Sequence, residues 1–337
     1  MFFNFIIILK NLIFIQNKYM AYLILDRKIF IISIINLFLA YKIYDYVKVE
    51  EKKIVRIPIV MSTSNEYIYQ TLITLSSLSE NSNKDNIYDV YILIPKKFLI
   101  DYRLKILQIE LKYRNVNIKI IESEEPYVKF DNYNSKYYKF FMHLLIPGYD
   151  KMIYINWDTL VFSDLEELFN IDLEDNYFSG FLSNDNNSIY NNFNLPIDKR
   201  INTNVLLINT KKLNEDNKIE ELKEIYNKYK ENKNINEKVM INIIFNNDTS
   251  ILPPKYGMPN FDIVDIGLKY NENISENYRY DKDEFIASFY EPSIIDLFCE
   301  PWKHGNKCKH NEAWWYYAKK NTFYDEIKEK YGELFNK

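Results

Sequence analysis

From Ile54 onward, short apolar runs alternate with longer stretches of helical period. Ile54 to Met61 (IVRIPIVM) reads as a buried strand, and the polar Thr63 to Glu66 (TSNE) as a loop and helix cap. Tyr67 to Ser79 follows, with Ile68, Leu72, Leu75 and Leu78 on one helical face. Val90 to Ile94 is a second strand, ended by Pro95. Phe98 to Leu111 is a helix, with Leu104, Leu107 and Leu111 spaced for burial. Val116 to Ile121 is a third strand, and Tyr137 to Ile146 a helix stopped at Pro147-Gly148. Met152 to Ile155 is a wholly apolar fourth strand that runs straight into Asn156, Trp157 and Asp158. Further strands are expected at Tyr177 to Leu182 and Thr203 to Ile208. An amphipathic helix is expected over Glu215 to Lys233, with Ile219, Leu222, Ile225 and Tyr229 inward, and another helix over Val239 to Phe245. After Asn311 the pattern is helical and aromatic (AWWYY), then helical and charged.

This alternation predicts an α/β fold: right-handed crossovers and a mainly parallel central sheet flanked by helices. Ligands bind such sheets beyond the carboxyl ends of the strands. That directs attention to Ser62–Glu66 and Asn156–Thr159. No internal repeat or Pro/Ser linker interrupts the pattern. The expected organisation is an apolar N-terminal extension (1–53), one α/β domain (54–310) and a C-terminal helical extension (311–337).

The extension is apolar at Phe2 to Ile15, interrupted by Asn4, Lys10 and Asn11, and again over the 13 residues Ile29 to Tyr41. As a helix, 13 residues reach about 20 Å, short of the roughly 30 Å hydrocarbon core. Asp26, Arg27, Lys28 and Lys42 flank the second run and could hold it at a membrane surface. Three readings stay open: a short anchor, an interfacial helix, or a helix docked on the domain. No small-residue cleavage site follows, and Met20 offers an alternative start.

Composition narrows the chemistry. The 337 residues are 47% hydrophobic and 27% charged, enough for a substantial core. A net charge of −4 argues against nucleic acid as a partner. Only 6 glycines are present and none forms a G-x-G-x-x-G or Walker loop, so phosphate must be held without a glycine cradle. Two cysteines, Cys299 and Cys308, are too few for a disulfide scaffold and suit reduced thiols in a cytoplasm. With His304 and His310 they form a second, zinc-binding alternative, at gaps that match no familiar spacing.

The chemistry centres on Met152 to Leu168 (MIYINWDTLVFSDLEEL). Acids placed one residue apart after a buried strand can grip a divalent ion on a diphosphate. Here Asp158 is an acid, while Asn156 offers a neutral carbonyl oxygen; a capped turn is the plain alternative. The longer stretch Tyr137 to Leu168 resembles the core of glycosyltransferase family 8. Four more segments match in order: Ile57–Leu78, Asn202–Asn209 (NTNVLLIN), Glu237–Phe245, and Leu252–Gly257 followed by Pro301-Trp302. The likeness spans about 250 residues, from Ile54 past Trp302.

The resemblance implies a GT-A fold and hexose transfer, with retention, from a UDP-sugar (glucose or galactose) to a glycan or lipid-linked acceptor. It implies Mn²⁺ or Mg²⁺ at Asp158 and Asn156, with Ser288 standing where a metal-ligating His is usual. Ser64, Asn65, Tyr67, Lys139, Asn156, Trp157, Asp158, Asn202, Thr203, Asn204 and Lys303 would bind the donor, with Glu237 and Lys238 as the catalytic residues. Departures are specific. The first metal acid is Asn156, the Arg of the core motif is Lys139, the donor-loop acid is Ser64, an Asp-Gln pair is Glu237-Lys238, and the Lys before Pro-Trp is Glu300. Either fixed cations (Lys139, Lys238, Lys303 or His304) carry the diphosphate charge, or the chain is a non-catalytic binding module. The expected setting is the cytoplasm, at the inner face of the membrane, in cell-envelope glycan assembly. Trp314, Trp315, Tyr316 and Tyr317 are read as helix-packing residues, with sugar stacking as the alternative.

Overall fold

A computed structural model describes residues 54–123, 135–183, 188–196, 199–229, 232, 235–259, 280–297, 299–305, 308 and 310–332, together with 34 and 36–40. Most of the apolar extension lies outside these. Its described residues are helical, with Ile34, Leu37, Phe38 and Leu39 exposed. Among the described residues no helix is long and apolar enough to cross a membrane. The chain divides into two compact units, Met1–Lys53 and Ile54–Lys337, and the second contains the sheets.

The strands of this second unit are β1 (Arg56–Ser62), β2 (Ile87–Pro95), β3 (Val116–Ser123), β4 (Lys151–Ile155), β5 (Thr159–Val161), β6 (Phe178–Leu182), β7 (Ile201–Asn209), β8 (Thr249–Ile251), β9 (Met258–Pro259) and β10 (Ile294–Asp296). Its helices are α1 (Ile68–Asn81), α2 (Ile100–Lys112), α3 (Met142–Leu145), α4 (Glu166–Asn170), α5 (Thr210–Glu215), α6 (Ile219–Tyr229), α7 (Glu237–Ile244), α8 (Lys282–Tyr290), α9 (Pro301–His304), α10 (Asn311–Lys319) and α11 (Tyr324–Tyr331). Seven strands form the main sheet in the order β3-β2-β1-β4-β7-β6-β8. β1 runs parallel to β2 and β4, β2 to β3, and β6 to β8; β7 alone is reversed against both neighbours. A smaller sheet, β5-β10-β9, stands beside the end of β4.

Both faces of the main sheet are covered, which is why its strands read as continuous apolar runs. The strand period of two sends Ile57, Ile59, Val90, Ile92, Ile153, Ile155, Val205 and Leu207 into one core with α1, α10 and α11. It sends Val60, Tyr91, Leu93, Met152, Tyr154, Leu206 and Ile208 into the other, with α3 and α5–α7. Residues 311–332 therefore belong to the same body as the sheet. Trp314, Trp315 and Tyr317 are buried, as the packing reading expected, while Tyr316 is exposed.

Three expectations change. In α2 the buried residues are Ile106 and Ile109, whereas Leu104, Leu107 and Leu111 face solvent. Two apolar faces existed on that helix, and only packing chose between them. The helix expected from Glu215 begins only at Ile219, as α6; Glu215 instead ends α5, and the turn between them passes through Asn217, which adopts φ 47°. Cys299 and Cys308 form a disulfide rather than standing as free thiols or zinc ligands. The turn through α9 brings their Cα atoms to 5.6 Å, a separation that spacing along the chain does not reveal.

Candidate functional site

β1 and β4 end side by side, and the residues after them build the site. Asn156 is buried at the end of β4; its backbone N–H donates to the Asn204 carbonyl at 2.8 Å. Its side-chain amide donates to Asp158 Oδ1 at 2.7 Å and to Asn204 Oδ1 at 3.3 Å. Tyr154 Oη lies 3.4 Å from Asn156 Oδ1 and 2.8 Å from Ser62 Oγ at the end of β1. From β7, the Asn202 and Asn204 amides both donate to Asp296 Oδ2, at 2.8 and 3.0 Å. Asp296 closes β10, which is paired so that Asp296 opposes Thr159; the Leu297 N–H donates to the Asp158 carbonyl at 2.8 Å. Two carboxylates, Asp158 and Asp296, are thus joined through three asparagine amides.

Motif spacing points to Ser288 and passes over Asp296. Ser288 lies on α8, which packs over the turn Pro254–Tyr256, and it is Asp296 that joins the cluster. The sequence does hold a signal for it: Ile294-Ile295-Asp296 repeats the pattern of a buried strand closed by a polar residue, as in Tyr154-Ile155-Asn156.

Trp157 points into the core, at 4% exposure. Its ring stacks on Tyr67, centroids 3.9 Å apart and planes 7° off parallel, and meets Trp302 edge-on at 5.9 Å. Thr74 of α1 donates to the carbonyls of Trp157 and Thr159, both at 2.8 Å, and so fixes the turn. Tyr67 is half-buried; burial, then the nearby Glu66, raises its pKa above the usual phenol value. Lys303 sits beside Tyr67 and Glu66 at the rim, its pKa raised chiefly by its hydrogen bond to Glu300, 2.9 Å away. Ser64 accepts the Tyr67 N–H through its carbonyl. Asn65 turns away from the cluster and clamps the start of α2, donating to Lys97 O and accepting from Leu99 N, both at 3.0 Å.

Lys139 is fully enclosed beneath β7. Its ammonium donates to the carbonyl and Oγ1 of Thr203 at 3.2 Å, lies 3.8 Å from Glu237 Oε1, and sits over the Tyr154 ring at 4.9 Å. It braces the site from below, where an open diphosphate would not reach it. Glu237 begins α7, capped by Asn236, whose side chain accepts from Val239 N. Asn242 ties α7 to Ile201 through both its N–H and its carbonyl. Lys238, the next residue of α7, is half-buried.

As a donor set, Asp158 and Asp296 are hard oxygen ligands, which suit Mg²⁺ or Mn²⁺ better than softer metals; the Asn156 oxygen expected beside them faces Tyr154 Oη, and its NH₂ group faces Asp158. Among the described residues no group of three or more His, Cys, Asp or Glu forms a metal-holding cluster. A divalent ion here would rest on two carboxylates with phosphate oxygens, which is within what Mg²⁺ accepts.

A mostly parallel sheet with covered faces, a buried acid–amide cluster at its strand ends and a stacked Tyr–Trp pair beside it define an α/β protein of the kind that binds its ligand beyond the carboxyl ends of its strands. The family model for glycosyl transferase family 8 matches residues 58–278. The chain belongs to that family. A curated relative is the glycosyltransferase GlyE of Streptococcus pneumoniae serotype 4, 25% identical over 272 residues, covering 77% of this chain and 60% of GlyE. The chain thus spans about three-fifths of that relative. Among solved structures, the galactosyltransferase LgtC in complex with donor and acceptor sugar analogs superposes with a TM-score of 0.61. That match has 15% identity and covers 79% of this chain and 96% of LgtC. The bifunctional glycosyltransferase WbbM superposes at 0.65, with 17% identity, covering 82% of this chain and 52% of WbbM. Both likenesses speak to the fold.

Proposed function

We propose that the protein transfers a hexose from UDP-glucose or UDP-galactose to a hydroxyl of a glycan or lipid-linked acceptor, with retention. The observation that carries this reading is the Asp158–Asn156–Asn204–Asp296 cluster at the strand ends, next to Tyr67. Asp158 and Asp296 would hold Mn²⁺ or Mg²⁺. Such an ion, when bound, neutralises charge on a departing diphosphate. The chain's own part is positioning. Tyr67 offers a ring for the base, and Lys303 a rim cation for the diphosphate. Asn202 and Asn204 present amides toward the sugar. Glu237 acts at the sugar side, its place set through Lys139 and Thr203. No strong nucleophile is needed for a front-face displacement, which asks for charge stabilisation and alignment.

The test is UDP release from each UDP-hexose with candidate acceptors, and calorimetry with UDP with and without Mn²⁺. Turnover lowered strongly by Asp158→Ala supports the assignment; unchanged turnover removes it. A second reading, a binding module without catalysis, is favoured by one feature: Trp157 already covers a face of Tyr67. UDP binding with no turnover on any acceptor would select it.

A further inference from the structure

Helix α2 carries an exposed apolar face. Ile100, Leu104, Leu107 and Leu111 recur at intervals of four, three and four, so they form one stripe. They are 66%, 53%, 37% and 85% exposed, and Leu99 beside them is 53% exposed. The opposite face, Ile106 and Ile109, packs into the core. Isolated exposed leucines are ordinary, whereas a continuous stripe along a whole helix marks a surface that meets something.

Charge indicates what it meets. Exposed Lys96 and Lys97 precede the stripe, and exposed Lys112 and Arg114 follow it. Between them Arg103 is paired with Glu122 and Lys105 with Glu326, while Asp101 and Glu110 are the acids of the segment. Residues 96–114 hold six basic and two acidic residues, in a chain whose net charge is −4. An apolar stripe with a basic group at each end matches an anionic lipid surface, where the side chains enter the acyl boundary and the cations meet headgroups. A second copy fits poorly. Both ends are basic, so either orientation of a helix pair sets cation against cation. Two 13-residue helices also bury far less than the roughly 1,200 Å² of a stable interface.

We infer that α2 is a membrane-docking helix that seats this protein on anionic lipid through Ile100, Leu104, Leu107 and Leu111. The helix begins where Asn65 of the donor loop grips Lys97 and Leu99. Docking therefore holds the donor loop near the lipid plane, where a lipid-linked acceptor would present its hydroxyl. That consequence, unlike the docking itself, rests on the transferase reading.

The test uses the full chain and its Leu104→Gln/Leu111→Gln variant. Each is sedimented with phosphatidylcholine vesicles with and without phosphatidylglycerol. Expected is at least about tenfold tighter binding to the anionic vesicles, most of it lost in the variant. Equal binding by the two proteins, or none by the parent, overturns the inference. Hydrogen exchange over residues 96–114 is the second readout. Slowing on addition of anionic vesicles supports docking. Protection that is complete without lipid, whether or not it grows with protein concentration, shows that the chain itself or a second copy covers the stripe, and overturns it. UDP release on a soluble acceptor is read in parallel. Its absence from both proteins counts against the transferase reading and leaves the docking result standing on the vesicles.

Discussion

At residue 156 an amide stands where the family resemblance implies an acid, and at 296 an acid stands within the same cluster. The exchange keeps two negative charges at the strand ends while moving one from β4 to β10. A metal site depends on ligand charge and reach more than on which strand supplies a ligand. Asn156→Asp should then raise Mn²⁺ affinity on the order of tenfold, read by calorimetry, and Asp296→Ala should lower it by at least as much. Asp158→Ala should reduce turnover about 100-fold or more, the usual cost of losing one group that stabilises developing charge. Unaltered Mn²⁺ binding in both Asn156 and Asp296 variants would separate the cluster from any metal role. His143, on α3, is a residue of another kind. It is 3% exposed, its Nδ1 has no hydrogen-bond partner among the described residues, and burial lowers its pKa to about 4. The unfolded chain binds this proton more readily than the folded one, near the ordinary value of about 6.5. Stability is therefore lost as pH falls from about 6.5 toward 4, by about 2 kcal/mol at pH 5. Urea titrations at pH 7 and pH 5 should show that loss, and His143→Phe should remove most of it.

At the scale of elements, the site is a junction of turns held from outside. α1 pins the turn after β4 through Thr74, α7 pins the start of β7 through Asn242, and β7 passes close under β6. A Cβ added at Gly180 would lie 2.8 Å from the Asn202 carbonyl, too close for real atoms, and the obstacle is backbone. Gly180→Ala should therefore displace the Asn202–Asn204 segment, lowering turnover more than it raises the KM for UDP-hexose; an unchanged kcat would show that β7 tolerates the shift. The α9 turn is held differently, by the Cys299–Cys308 bond across a sequence separation of 9. Opening it with a thiol should cost about 2–3 kcal/mol on the loop-entropy account, visible as a lowered Tm. The turn carries Trp302, whose ring meets Trp157 and Trp314, so looseness there reaches the site.

Across the whole second unit, the terminal helices are structural members of the same body as the sheet. Trp314 is 1% exposed and packs against Trp302, Trp315 and Tyr331. From α1, Tyr69 donates to Glu326 at 2.8 Å and Asn81 to Tyr317 at 2.7 Å. Trp314→Ala should cost about 3–5 kcal/mol, and a chain ending at residue 310 should not give a cooperative unfolding transition. Retained cooperativity in that truncation would mean the sheet core is self-sufficient.

Local rules account for everything the chain alone determined. Period-two burial and short turn signals located the strands, and five ordered motifs led to the family and to the cluster's first half, Asn156, Asp158, Asn202 and Asn204. Tertiary structure decided the rest, because each remaining question compared contacts between distant segments. Whether Ile106 and Ile109 or Leu104 and Leu107 turn inward on α2 depends on what packs against the helix. Whether Cys299 meets Cys308 depends on the turn between them, and whether Lys139 reaches a ligand or is sealed under Thr203 depends on the depth of β7. Asp296 enters the site because an antiparallel pairing sets it opposite Thr159, an adjacency between residues 137 positions apart that no local spacing encodes.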